Sequence, residues 1–180
     1  MTNSVPLPVL TDGRVVLRAT EPGDGPAIEV GMHDPDVVRW IGAPRPSAAA
    51  VMAENDARWA NGSPTLSICE LDGACVGLVW LNRRDGDSAT GYIGYWLLPS
   101  ARGRGLVTSA VRLISAWAVD HLGVANVRIT IAPENERSQR VAERSGFRRL
   151  GIAGGDAPDR REIGQVVYEL HDRNEEEERA

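Results

Sequence analysis

The chain has no lysine: all 20 of its basic residues are arginine. That absence excludes a Schiff-base lysine and any modification of its own lysine side chains. Only two cysteines occur, Cys69 and Cys75, too few for a disulfide framework, and they read as two free thiols near a turn. No apolar run approaches the roughly 20 residues needed to span a bilayer. The stretch "MTNSVPLPVLTDGR" has no basic segment followed by an apolar core, so no secretory signal is expected there. These absences predict a cytoplasmic protein with no membrane partner. Positive charge is also in deficit. The net charge of -5 argues against nonspecific nucleic-acid binding and suits, weakly, a cationic substrate.

What remains is an ordinary globular composition, 42% apolar and 25% charged over 180 residues. That length is enough for one domain with a real core. "GRVVLRAT" (Gly13 to Thr20) alternates and predicts a strand. Pro22 and Asp24 mark a helix start, "DPDVVRWIGAP" predicts a short helix stopped by Pro44, and "PSAAAVMAENDARWANG" predicts a longer one. "TLSICEL" and "ACVGLVWLNRR" flank Asp72-Gly73, a hairpin signal. "ATGYIGYWLLP" (Ala89 to Pro99) adds a strand. Leu106, Ala110, Leu113, Ile114 and Trp117 then fall at helical spacing up to Gly123. "NVRITIAP" is a strand, and "NERSQRVAERSGF" is a helix with Asn135 as N-cap. "FRRLGIAG" and "IGQVVYEL" are the last strands, joined by the polar loop Gly154 to Glu162. No repeat or linker interrupts the order, so residues 1–171 form one mixed α/β domain. Residues 172–180 are an acidic, solvated tail.

One short run stands apart. Arg102-Gly103-Arg104-Gly105 lies between a strand and a helix, where unpaired N–H groups and the helix dipole favour an anion. Glycine lets a phosphate approach the backbone, and arginine adds forked donors. The run is not a P-loop, because no Gly-Lys-Ser/Thr follows, and it is not a G-x-G-x-x-G fingerprint. Alone it reads either as a phosphate cradle or as a tight turn with exposed arginines.

Together, these segments resemble the GNAT superfamily of acetyl-CoA-dependent N-acetyltransferases. The branch they resemble is the RimJ/RimL type, which acetylates ribosomal-protein N-termini. The superfamily pattern is Arg or Gln, two residues, Gly, one residue, then Gly or Ala. Arg102 to Val107 matches it except at Val107, where a small residue is usual. "YIGYWLLP" resembles the central strand. "APENERSQRVAERSGF" resembles the second motif through Asn135, Ser138, Val141, Ala142, Gly146 and Phe147. "GRVVLRAT" and "DPDVVRWIG" resemble the N-terminal portion, and the similarity runs from about Leu10 to Leu170.

The resemblance implies an α/β (α+β) fold. Its mixed, mostly antiparallel sheet would have six or seven strands, with four to five helices around it and a splay after the strand Ala89 to Pro99. Acetyl-CoA, the implied cosubstrate, would enter the splay. Backbone groups around Trp96, Leu97 and Leu98 would pair with its pantetheine arm. The N–H groups of Arg102, Gly103, Arg104, Gly105, Leu106, Val107 and Thr108 would hold the pyrophosphate. Asn135 would hydrogen-bond the pantetheine, and Ser138 would sit near the thioester sulfur. A strand N–H near Leu97 would support the oxyanion. No metal is implied.

Two positions depart from the family. Tyr92 stands where many relatives carry a glutamate that acts as base, and Ala142 where many carry an acidic tyrosine. Tyr92 then reads as lining the amine pocket or as packing. A carboxylate before the last strand would fall near Ala157, with Asp156 and Asp159 the nearest. Trp40 and Trp59 read as pocket residues, core packing or a homodimer contact. The implied partner is an amine: a peptide N-terminus first, a small molecule second. A non-catalytic CoA-binding module is the third alternative, motivated by Tyr92.

Overall fold

The computed structural model describes residues 7–42, 47–60, 62–84, 87–155 and 160–171. Its eight strands form one sheet in the order β1-β2-β3-β4-β5-β6-β8-β7. They are β1 (Leu10–Thr11), β2 (Val16–Ala19), β3 (Thr65–Cys69), β4 (Cys75–Arg84), β5 (Asp87–Leu97), β6 (Asn126–Ile131), β7 (Arg148–Ile152) and β8 (Val166–His171). Every pairing is antiparallel except β5 with β6. The sheet class matches the sequence reading, and the count exceeds it by one. The additional strand, β1, has two residues, too short to show any periodicity. The strand read from Gly13 begins at Val16, and the one read from Ala89 begins at Asp87.

Among the described residues five α-helices cover the sheet: α1 (Gly25–Met32), α2 (Pro35–Ile41), α3 (Ala48–Ala60), α4 (Leu106–Leu122) and α5 (Glu136–Arg144). Their starts follow local chemistry. The Asp34 side chain accepts from the Val37 N–H at 3.1 Å, Ser47 Oγ from Ala50 at 3.1 Å, and Asn135 Oδ1 from Ser138 at 3.2 Å. Gly123 ends α4 at φ 64°, a left-handed conformation that glycine adopts without a Cβ clash. No helix among the described residues is long and apolar enough to cross a membrane.

Alternation along the strands sorts the core into two layers. Val79, Leu81, Ile93, Val127 and Ile129 face α4, meeting Ala110, Ile114 and Trp117. Leu78 and Trp96 face the other way, onto Ile28, Met32, Val37 and Val51 from α1 to α3. A Cβ added at Gly31 of α1 would lie 2.1 Å from the Trp96 ring, so this glycine sets how closely α1 approaches β5. The Trp59 ring lies 5.7 Å from that of Trp117, tilted by 34°, within the first layer, so of its alternatives core packing is what its contacts show. Trp40 is half-buried with the Arg39 guanidinium 4.4 Å from its ring centroid.

A buried ion pair fixes the approach to α1. Both nitrogens of the Arg18 fork donate to Asp24 at 2.8 Å, and Ser67 Oγ donates to the same carboxylate at 2.7 Å. Asp24 is only 3% exposed. Burial pushes its carboxyl up, but hydrogen bonds from Arg18, the Glu21 N–H and Ser67 outweigh that, and the net shift is downward.

Candidate functional site

β5 and β6 pair only from Thr90–Tyr92 to Asn126–Arg128, although β5 continues to Leu97 and β6 to Ile131. Beyond Tyr92 the strands part, and the sheet has a cleft in its middle. Which backbone groups face that cleft follows from the β4 pairing. Trp96 lies opposite Leu78, and the Leu98 N–H donates to Val76 O at 2.8 Å. Strand alternation therefore turns Trp96 and Leu98 toward β4, and turns the amides of Tyr95 and Leu97 into the cleft. Of the three residues named for pantetheine pairing, Leu97 is the one whose N–H faces the cleft. Tyr95, unmarked in the sequence reading, joins it.

At the end of β5 the chain makes one 3-10 turn, Pro99–Ala101, and reaches the Arg-Gly run. Gly103 and Gly105 adopt φ of 76° and 78°, the left-handed region, and Gly105 caps α4. Residues 103–105 are exposed, and nothing lies within 4 Å of a Cβ built at Gly103. Among the described residues, and apart from the turn that Arg104 closes, no backbone carbonyl accepts from the N–H groups of residues 103–108. Five donors at and just before a helix N-terminus suit a diphosphate. Leu106 is buried, while Val107 and Thr108 are half-buried. Val107 packs against the main core, which is how a residue larger than usual is accommodated.

The two arginine side chains do other work. Arg102 donates to Leu97 O at 3.1 Å, Asp36 Oδ2 at 2.9 Å and Asp34 Oδ1 at 2.6 Å. It thus ties the end of β5 to the first turn of α2. Asp36 also lies 3.6 Å from Arg137 of α5, so α2 is clasped from both sides of the cleft. Arg104 is ion-paired with Glu70. Arg102→Ala is expected to cost about 2 kcal/mol of stability, as loss of hydrogen bonds between charged groups does. A shift of the urea midpoint at unchanged slope checks this.

On the opposite wall, Asn135 and Ser138 begin α5, and both are half-buried. The Asn135 carbonyl oxygen serves as helix cap, which leaves its amide nitrogen for a ligand. Ser138 Oγ lies 2.9 Å from the Tyr95 hydroxyl, which also reaches Ser138 O at 3.3 Å. This pair bridges the cleft from β5 to α5. Burial pushes the Tyr95 phenol up to about 12, so it is protonated at neutral pH and can donate.

Tyr92 points away from Tyr95, onto the other face of the sheet. It is buried, with the Arg84 guanidinium 3.6 Å over its ring and its hydroxyl 3.4 Å from Asp87 Oδ2. Burial raises its phenol as well. Arg84 in turn pairs with Glu162, a buried carboxylate in the 3-10 turn Arg160–Glu162 just before β8. Arg128 pairs with Glu169 alongside. Glu162 was not singled out by sequence. Asp156 and Asp159 lie outside the described residues. Among the described residues no cluster of His, Cys, Asp and Glu is placed to hold a metal ion.

Residues 14–148 match the model of the acetyltransferase (GNAT) domain. The chain belongs to this family. A relative from Bacillus subtilis named as a ribosomal N-acetyltransferase, YdaF, is 35% identical over 82 residues, 46% of this chain and 45% of that protein. The chain therefore matches less than half the length of that relative. Among solved structures, an acetyltransferase from Agrobacterium tumefaciens superposes with a TM-score of 0.76 at 26% identity, covering 96% of this chain and 99% of the other. A spermidine N-acetyltransferase from Vibrio cholerae, solved with CoA and spermine, shares the fold at a TM-score of 0.69 and 16% identity, over 88% of this chain and 94% of that one. The likeness to YdaF agrees with the branch suggested by the motifs of this GNAT domain.

Proposed function

We propose that the chain transfers an acetyl group from acetyl-CoA to a primary amine, chosen from peptide or protein N-terminal α-amines, by direct attack in a ternary complex. The observation that carries this reading is the cleft itself. It has strand edges at Tyr95 and Leu97, a row of unclaimed N–H donors at its mouth and a hydroxyl pair across it. An extended pantetheine arm would add to β5 as a strand does, and the diphosphate would sit on the start of α4.

In this reading a neutral amine attacks the thioester carbonyl, and the oxyanion is met by a cleft-facing N–H such as that of Leu97. The C–S bond then breaks. When Tyr95 donates to Ser138 Oγ, the serine's own hydrogen is free to turn toward the departing sulfur. Tyr95 is thus a positioning residue for Ser138. An α-amine has a pKa of about 7.7–8.0 and a lysine amine about 10.4. The α-amine needs less help from a base, and Glu162 and Glu169 are engaged by Arg84 and Arg128. That favours an N-terminus over a lysine side chain. Tyr92 is assigned to the acceptor side as a neutral, pocket-lining phenol.

A thiol-release assay with acetyl-CoA, run over N-terminal peptides and over polyamines, aminoglycosides and amino acids, tests the proposal. Turnover confined to small amines would move the acceptor to the second class. CoA binding with no turnover would leave a binding module. Ser138→Ala is expected to lower kcat about tenfold to a hundredfold, at or below the low end for acid assistance because a thiolate leaves readily. Tyr95→Phe is expected to lower kcat less, with KM for acetyl-CoA unchanged. Equal loss in kcat and affinity would make the Tyr95–Ser138 contact structural.

A further inference from the structure

We propose that Cys69 and Cys75 form a two-thiol modification site that reacts with a hydroperoxide and closes to an intramolecular disulfide. This reading is independent of acetyl transfer.

Cys69 and Cys75 lie directly opposite each other at the β3–β4 hairpin, where the register shifts and Val76 becomes the additional residue. The Glu70 N–H donates to Ala74 O at 2.9 Å, which makes Glu70–Ala74 the hydrogen-bonded pair and Cys69–Cys75 the adjoining close pair. Opposed Cα atoms in such pairs are about 4.5 Å apart, within the roughly 4.4–6.8 Å span of disulfides. Opposed residues also share a face of the sheet. The Cys75 thiol donates to Gly77 O at 3.6 Å, and the neighbouring Cys69 thiol lowers it to about 7 against the opposing effect of burial. The same proximity, followed by burial, raises Cys69. Cys75 is partly exposed, and Cys69 is fully buried behind it.

The arrangement divides the chemistry. Cys75, the partly exposed thiol of the two, attacks the distal peroxide oxygen as its thiolate. The O–O bond breaks, Cys75 becomes a sulfenic acid, and hydroxide leaves and takes a proton to form water. Cys69 then attacks the Cys75 sulfur. The S–O bond breaks, the S–S bond forms, and the sulfenic oxygen departs as water with the Cys69 proton. Two thiols and one hydrogen peroxide thus give one disulfide and two waters. The peroxide is reduced by the two electrons the thiols lose.

The test exposes the reduced full chain to one to three equivalents of hydrogen peroxide, then counts thiols under denaturing conditions and measures the intact mass. The expected result is a monomer that has lost two hydrogens and both thiols together, with a Cys69–Cys75 cross-linked peptide and recovery by dithiothreitol. In Cys69→Ala, dimedone should label Cys75; in Cys75→Ala, Cys69 should stay a thiol. The wild-type result decides even if either variant folds poorly. A covalent dimer would overturn the proposal. So would Cys75 oxidised to sulfinic acid beside an intact Cys69, or two unreacted thiols that oxidise only after unfolding.

Discussion

Gly105→Glu is expected to weaken CoA binding about a hundredfold or more, read by calorimetry. Three effects act together at this position. The left-handed φ of 78° strains a side-chain-bearing residue by about 1–2 kcal/mol, so the free loop of the variant relaxes away from it and binding has to restore it at that cost. The new carboxylate repels the diphosphate at the very end of α4 where the dipole would otherwise attract it, a term of about 1 kcal/mol. The side chain also occupies the exposed approach to the loop N–H groups. Together these reach about 3 kcal/mol, and each 1.4 kcal/mol is a factor of ten. Gly105→Ala carries the strain without the charge and should lose about tenfold. Unchanged affinity in the glutamate variant, with circular dichroism showing a folded protein, would remove the diphosphate from this loop.

Asp24→Ala is expected to cost about 3–5 kcal/mol, as breaking a buried ion pair does. It strands Arg18, whose fork has no comparable second partner, and leaves Ser67 Oγ without its 2.7 Å acceptor. A loss of that size should lower the melting temperature by about 10 °C or more in a domain this long. The pH dependence has a definite sign. The folded Asp24 carboxyl titrates below its unfolded value of about 3.9, so its stabilisation is fully present above that value. It disappears as pH falls through the lower, folded value. Wild type and variant should therefore differ fully at pH 7 and converge in acid. A gap that stayed constant below pH 4 would show that the loss is one of packing rather than charge.

The elements were legible where chemistry is local. Asn135, Gly123 and the Asp72-Gly73 turn announce boundaries through caps and turn preferences, and the β4 run VGLVWL reads as a strand buried on both faces. The Arg-Gly run was legible as a loop before a helix. What could not be read is how its side chains are spent. Arg102 meets Asp34 and Asp36 from 66 or more positions away, and no periodicity encodes that. Tyr95 and Ser138 are 43 residues apart and meet only because β5 and α5 stand on opposite sides of the cleft. Glu162 pairs with Arg84 from 78 positions away, and no periodicity encodes that either. Its signal was an acidic residue directly ahead of the last strand.

The three-residue seam between β5 and β6 makes the sheet two plates joined along a short weld. Beyond it, the amides of Tyr95 and Leu97 have no neighbouring strand to shield them. Their hydrogens should exchange with solvent far faster than those of Leu81 or Ile129 in the same sheet. A cosubstrate that completes the missing stretch would slow them, and would stiffen the contact between the plates as it did so. Heat resistance should then rise with CoA concentration, because the ligand binds only the folded sheet. Seen this way, the cosubstrate is also a structural strut, and departure of the product thiol loosens the frame between turnovers.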